Sequence, residues 1–176
     1  LSKCYDKIDD IENAFNFFEK IKLLKLKFDN NKVDKNKFLD EIKKRIDHFR
    51  NPKDKKHFIN NSKKDYKPVF MVGFPRSGTT LLDTILRSHP LIEVIEEKPT
   101  VKNMISSLNK LSNNSLENIY DLEEKRIEEI RNNYFHELYS YIDIEDRNKV
   151  YIDKLPLNII YIAEILRIFP KAKFIF

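Results

Sequence analysis

The sequence predicts an α/β fold in which a parallel sheet follows a helical N-terminal segment. Short apolar runs typical of buried strands recur along the chain, at 68–72, 91–95, 150–153 and 174–176. Both glycines of the 176-residue chain, Gly73 and Gly78, lie between the first of these strands and the helix after it. A strand, a glycine loop and a helix in this order predict a turn whose backbone N–H groups meet an anion.

Residues 1–50 are predicted to be a helical segment, and a polar linker is expected at 51–67. One amphipathic helix is indicated by apolar residues that share a face: Ile11, Ala14, Phe15, Phe18 and Ile21. A second helix is predicted over 34–49, with inward side chains at Phe38, Ile42 and Phe49. Pro52 follows this helix and cannot continue it.

Residues 68–176 are predicted to form the sheet and the helices that cover it. Helices are expected at 79–87, 100–111 and 122–141, and Pro156 is well placed to begin another. The apolar face of the first helix is predicted to be Leu81, Leu82, Ile85 and Leu86. Four apolar residues of the last helix are expected to face the sheet: Ile159, Ile162, Ala163 and Leu166.

The glycine loop, 73–80, matches the Walker pattern of nucleotide triphosphatases at every position but one. Thr79 stands where that pattern has a lysine on the β- and γ-phosphates, and the loop's only cation is Arg76. The spacing therefore favours a phosphorylated ligand other than ATP or GTP. The alternative is a plain helix start that Ser77 or Thr79 caps.

Two blocks of the sequence resemble one family. The stretch 75–82 (PRSGTTLL), followed by Ser88-His89-Pro90, resembles the 5′-phosphosulfate loop of sulfotransferases that use PAPS, 3′-phosphoadenosine 5′-phosphosulfate. The stretches 150–158 (VYIDKLPLN) and 169–175 (FPKAKFI) are similar to the family's strand, Asp-Lys-x-Pro turn, helix and Phe-Pro-x-Ala strand. The resemblance covers 68–176 and is nearest to bacterial sulfotransferases with tetratricopeptide (TPR) repeats and to tyrosylprotein sulfotransferases.

This resemblance implies a sulfotransferase fold, with a P-loop NTPase-like parallel sheet, and PAPS as the sulfuryl donor. It also implies that the loop binds the phosphosulfate group through Pro75, Arg76, Ser77, Gly78, Thr79 and Thr80. A kinase or nucleotide triphosphatase with a P-loop is the alternative enzyme class, and the missing lysine counts against it.

Sulfuryl transfer builds charge on the oxygen that leaves and removes a proton from the acceptor hydroxyl or amine. Fixed cations and a positioned base therefore lower the barrier, and this chemistry requires no metal. Arg76 and Lys154 are the candidate cations, because Lys154 matches the family's catalytic lysine and follows a strand. Outside this context, Lys154 would be a solvated lysine in a turn. The histidines are scattered: His48, His57, His89 and His136.

Glu97 is the candidate base, since it matches the position of the family's acidic residue after Ser88-His89-Pro90. Glu96 takes this role if the register is one residue earlier. Either carboxylate could instead be an acidic residue before the helix that begins near Pro99, where the helix dipole favours negative charge.

The N-terminal segment also resembles the end of a TPR array, because Leu1, Tyr5, Ala14 and Phe18 have the 4, 9, 4 spacing of that repeat. An ordinary amphipathic helix fits nearly as well. A TPR-like segment would bind a protein partner, and a non-catalytic module that binds partners is the third functional class.

Charge and cysteine content bound the remaining classes. Residues 1–68 carry 19 Lys and Arg against 12 Asp and Glu, whereas 69–176 carry 14 against 16. The basic excess is interpreted as a solvated linker and not as a nucleic-acid site, because no aromatic residues alternate with it. The single cysteine, Cys4, favours a reducing compartment such as the cytoplasm, and no apolar run is long enough to span a membrane.

The chain stops within the apolar run 174–176, and we expect it to be a fragment, because buried parallel strands need covering helices. The resemblance implies that the family's arginine and serine that bind the 3′-phosphate follow Phe176, so we expect this chain to be inactive alone in sulfation. The acceptor remains open: a protein tyrosine, a carbohydrate, a lipid or a small molecule.

Overall fold

The computed structural model of the protein describes residues 1–28, 35–50, 66–142, 146 and 148–176. The chain forms two compact units, Leu1–Glu41 and Ile42–Phe176. The linker predicted at 51–67 lies largely outside the described residues, as does His57.

The first unit is helical, as the sequence predicts. It contains α1 (Ser2–Lys7), α2 (Ile11–Phe28) and the start of α3 (Lys35–Arg50). The ring of Tyr5 stacks on Phe17, with centroids 5.4 Å apart, and Ala14 of α2 is buried. Phe15 and Phe18, which share the predicted face with Ala14, are exposed within this unit.

The second unit alternates strands and helices. Its strands are β1 (Val69–Met71), β2 (Ile92–Glu96), β3 (Val150–Lys154) and β4 (Lys173–Ile175). Its helices are α4 (Thr79–Arg87), α5 (Thr100–Leu111), α6 (Glu124–Tyr139) and α7 (Ile162–Ile168). Among the described residues of this unit, short 3₁₀ helices lie at Asn118–Tyr120 and Pro156–Tyr161.

The four strands form one parallel sheet in the order β2-β3-β1-β4. Met71 and Glu96 both pair with Lys154, so β1, β2 and β3 end side by side. Ligands of parallel sheets bind beyond the carboxyl ends of the strands, and the sheet therefore brings the loop after β1 next to Lys154.

The two faces of the sheet are covered unequally. Side chains that alternate along the strands place Phe70, Val72 and Ile95 under α5, α6 and α7, in a large buried cluster that we call the packed face. The opposite side chains, Met71, Val94 and Ile152, lie under α4, and we call this side the open face.

In the second unit, the predicted faces of α4 and α7 differ from the structure. On α4, Leu82 and Leu86 pack on the sheet as predicted, but Leu81 and Ile85 are exposed, and Asp83 is buried instead. The buried row follows the i, i+3, i+4 spacing of a helix, so it includes a charged residue that the apolar pattern assigns to solvent.

At α7, Ile159 and Ile162 contact the packed face, but the fully buried apolar side chains are Ile165 and Ile168. The preceding turn, Pro156–Tyr161, is a 3₁₀ helix. A 3₁₀ helix has three residues per turn and an α-helix has 3.6, so the spacing of buried residues changes where α7 begins. A prediction that applies one α-helical spacing across both segments therefore assigns the wrong residues of α7 to the core.

Candidate functional site

The glycine loop is held between β1 and the turn after β3. The Gly73 N–H donates to the Pro156 carbonyl at 3.0 Å, and the Ser77 N–H donates to the Phe74 carbonyl at 3.1 Å. A Cβ on Gly73 would lie 2.9 Å from Ser77 Oγ, so a larger residue there would require the Ser77 side chain to move. The loop therefore has a tight, defined path.

The loop ends in residues with left-handed backbone. Gly78 has φ +90° and is the N-cap of α4, and Arg76 has φ +69°. No side chain caps the helix, so neither Ser77 nor Thr79 satisfies its first N–H groups, and the plain-cap alternative is not what forms. Strained backbone and an uncapped helix start together fit a site for an anion.

The other loop residues surround this helix start. Pro75, Ser77 and Thr80 are exposed, whereas Thr79 is largely buried beneath the first turn. Arg76 is exposed, and its guanidinium is the loop's cation. Among these loop residues, the exposed ones are therefore accessible from solvent, whereas Thr79 is not.

Lys154 lies at the end of β3, on the open face, and is buried. Its Nζ donates to Glu96 Oε1 at 2.5 Å and lies 3.5 Å from Asp83 Oδ2. The structure therefore brings Lys154 and Glu96, two residues singled out in the sequence, into direct contact across neighbouring strands.

Asp83 and Arg87 complete this cluster of charges. Arg87 binds both carboxylate oxygens of Asp83, and its Nη2 lies 3.6 Å from Glu96 Oε2. The hydrogen bond to Asp83 raises the pKa of Arg87. Sequence reasoning missed Asp83 and Arg87, although their i, i+4 spacing within an apolar helix was a usable signal.

Glu97 lies immediately after β2 and has a left-handed backbone, with φ +52°. Its N–H donates to the Lys154 carbonyl at 2.8 Å, which fixes the backbone at the strand-end edge. Its side chain is exposed. Glu97 therefore lies beside the backbone of Lys154 at the strand-end edge, but it is Glu96 that contacts the Lys154 ammonium.

Asp153, one residue before Lys154, points to the packed face. Its Oδ2 accepts hydrogen bonds from Thr100 Oγ1 at 2.6 Å and from the Tyr134 hydroxyl at 3.0 Å. Burial raises the pKa of Asp153 to about 6, while the two hydrogen bonds act in the opposite direction. Burial, with the nearby Asp153 charge, also raises the pKa of Tyr134.

The described residues include no group of three or more His, Cys, Asp or Glu side chains that could hold a metal ion. Among the same residues, no helix combines the length and the apolar character needed to cross a membrane.

Comparison with known proteins supports the sequence resemblance. An uncharacterized protein of Aquifex aeolicus (strain VF5) is 30% identical over 116 residues. The alignment covers 62% of this chain and 15% of the relative, so the chain spans a small part of that protein's length.

The profile of the sulfotransferase family matches residues 68–176, which contain the whole sheet, the glycine loop and Lys154. The mixed α/β architecture with its four-stranded parallel sheet is consistent with a sulfotransferase-type fold. Because the match covers more than half of the chain, the chain belongs to the sulfotransferase family.

Proposed function

We propose that the protein transfers a sulfuryl group from PAPS to a hydroxyl or amine acceptor, in a displacement that needs no metal. The observation that carries this proposal is the loop: its helix start is uncapped, and it has an arginine but not the Walker lysine. Family membership supports the same reaction class. In the reaction, the bond between sulfur and the bridging phosphate oxygen breaks, a bond from sulfur to the acceptor forms, and PAP leaves.

The loop residues 75–80 would hold the 5′-phosphosulfate group. Backbone N–H groups at the start of α4 and the positive end of the helix favour an anion there. Arg76 adds a full positive charge and can donate two parallel hydrogen bonds to one anionic group. Thr79, in place of the Walker lysine, leaves Arg76 as the loop's cation.

Lys154 would stabilise the charge that develops on the leaving oxygen. Its ammonium is buried beside the loop, where an electrostatic interaction is stronger than in water. It is already paired with Glu96 and Asp83, so it is held at the strand-end edge before any ligand binds.

Glu97 would accept the proton of the acceptor. The alternative base, Glu96, forms ion pairs with Lys154 and Arg87, and its oxygens are therefore engaged. Glu97 is exposed at the same edge and can meet an acceptor from solvent. We therefore favour Glu97 as the base and assign Glu96 to the support of Lys154.

The N-terminal helices would bind a protein partner if they are the end of a TPR array. The packing of α1 on α2, with Tyr5 stacked on Phe17 and Ala14 buried, supports a helix pair of this kind. The spacing of Leu1, Tyr5, Ala14 and Phe18 is the sequence observation behind this proposal.

Calorimetric titration with PAP, ATP and Mg-ATP tests the proposed reaction class. We expect PAP to bind without Mg²⁺, and ATP to bind poorly and to remain unhydrolysed, because the Walker lysine is absent. Mg²⁺-dependent binding of ATP with hydrolysis would instead show that the protein is a nucleotide triphosphatase.

A further inference from the structure

Four charged side chains meet on the open face, and the two carboxylates among them differ in burial. Lys154 has 1% of its side chain exposed and Asp83 has 4%, whereas Glu96 has 44%. Both carboxylates contact the Lys154 ammonium, and Arg87 binds Asp83 from the other side.

A buried carboxylate must keep its partners, because an uncompensated charge in the interior is costly. Asp83 lies between Arg87 and Lys154, and each of its oxygens contacts the Arg87 guanidinium. Its position is therefore fixed by the helix and by two cations.

Glu96 can lose its contact with Lys154 at much lower cost. Its carboxylate is half exposed, so water can replace the ammonium at Glu96 when the pair opens, while the buried ammonium keeps its contact with Asp83. The contact of 2.5 Å is the shorter of the two, but its accessibility makes it the contact that an incoming anion can replace.

We infer that Asp83 is the positioning residue of Lys154, and that Glu96 is the partner which a bound anion displaces. Asp83 holds the ammonium at the strand-end edge in both states. Glu96 neutralises Lys154 only until the ligand arrives. This inference rests on the proposed function, because it takes the 5′-phosphosulfate group as that anion.

Two isosteric substitutions, Asp83→Asn and Glu96→Gln, test the inference, because each removes one negative charge from the same cluster. The probe is PAP, titrated by calorimetry. We expect Asp83→Asn to weaken PAP binding about five- to tenfold, since Lys154 loses its fixed partner. We expect Glu96→Gln to tighten binding about two- to fivefold, since a competitor is removed.

A different result is expected if Asp83 and Glu96 affect PAP binding only through their negative charge. If the two carboxylates only repel the anion, both substitutions tighten binding, and the inference is wrong. If PAP affinity falls in Asp83→Asn and rises in Glu96→Gln, the inference is supported. The two variants have the same net charge, so a general charge effect would change PAP affinity in the same direction in both.

If the wild-type protein does not bind PAP, that result overturns the proposed function but does not test the positions of Asp83 and Glu96. Urea unfolding then tests the inference without a ligand. Asp83→Asn and Glu96→Gln are compared with and without Lys154→Met. Asp83→Asn should lower the free energy of unfolding more than Glu96→Gln does. In the Lys154→Met background, the loss caused by Asp83→Asn should become smaller, whereas the loss caused by Glu96→Gln should change little. A larger coupling of Lys154 to Glu96 would show that Glu96 is the fixed partner.

Discussion

Among the described residues, the buried cluster on the packed face contains fifteen apolar side chains, from the sheet and from the elements that cover it, whereas the cluster on the open face, under α4, contains three. Each face also receives one charged residue from the end of β3. Asp153 enters the packed face and is sealed there with Thr100 and Tyr134. Lys154 enters the open face and pairs with Glu96, which water reaches.

This difference separates stability from ligand binding. A charge sealed in the packed face can only change the free energy of unfolding, because no ligand reaches it. A buried cation with an exposed partner can exchange that partner for a ligand. The two neighbouring residues therefore serve different purposes, and their variants should separate the two properties.

The largest expected effect lies in the packed face. Leu108 is fully buried in α5, and Leu108→Ala should reduce the free energy of unfolding by about 2–5 kcal/mol, because it leaves a cavity. Leu82→Ala is the matched change on the open face, where Leu82 is only partly buried. Urea unfolding should show a clearly smaller loss for Leu82→Ala, and equal losses would contradict the comparison.

The next effect concerns catalysis on the open face. In a version of the protein that includes the expected 3′-phosphate residues, Lys154→Ala should reduce turnover of PAPS more than it reduces PAP affinity, by about 2.7–4 kcal/mol in the activation barrier. Arg76→Ala should weaken binding and turnover together, because the proposed role of Arg76 is to contact the anion in the ground state. Steady-state kinetics and calorimetry on the same preparations measure both quantities.

Glu97→Gln provides the companion measurement. PAP affinity should remain unchanged, and sulfuryl transfer should fall by about 10²–10⁴-fold, because the acceptor keeps its proton. Full activity of Glu97→Gln, together with an inactive Glu96→Gln, would assign the base to Glu96.

Asp153→Asn should produce a pH-dependent gain in stability. The pKa of Asp153 is raised from 3.8 to about 6 on folding, so the carboxyl contributes most to stability below about pH 4. This contribution is lost as the pH rises through about 6, and the loss is about 3 kcal/mol at most. Asparagine does not titrate, so the variant should gain stability relative to the wild type from pH 4 to pH 7.

Urea unfolding at several pH values between 4 and 7 measures this effect. Glu129→Gln is a suitable control, because Glu129 is exposed on α6. The same pH dependence in wild type and Asp153→Asn would show that Asp153 does not titrate in this window.

The smallest effect is expected at the exposed side of α4. Leu81 is 68% exposed, so Leu81→Gln should change the free energy of unfolding by no more than about 0.5 kcal/mol. The sequence pattern instead predicts that Leu81 is part of the buried face. If Leu81→Gln lowered the free energy of unfolding by several kcal/mol, Leu81 would be part of the buried face, as the sequence pattern predicts.

The sequence was sufficient to predict the order of strands and helices, because apolar spacing is a local property. α4 and α5 begin and end where the sequence predicts, at Thr79–Arg87 and Thr100–Leu111. The loop was equally predictable, because both glycines and Arg76 lie within a few residues of each other.

The charged pairs could not be predicted in the same way. Asp83 is buried because Lys154, from a distant strand, contacts it. Asp153 is buried because Thr100 and Tyr134 donate to it from two other elements. Such partners depend on the register of the sheet, which a local pattern does not contain, so hydrophobic spacing assigns these residues to solvent.

The most direct measurement of the central claim uses the two glycines of the chain, Gly73 and Gly78. Labelling with ¹⁵N at glycine alone gives two backbone amide resonances, and both report on the loop. We predict that PAP without Mg²⁺ shifts both resonances to saturation in wild type and in Asp153→Asn, and that Arg76→Ala requires a much higher concentration. Resonances that stay unchanged with PAP, or that move equally in wild type and Arg76→Ala, would contradict the account.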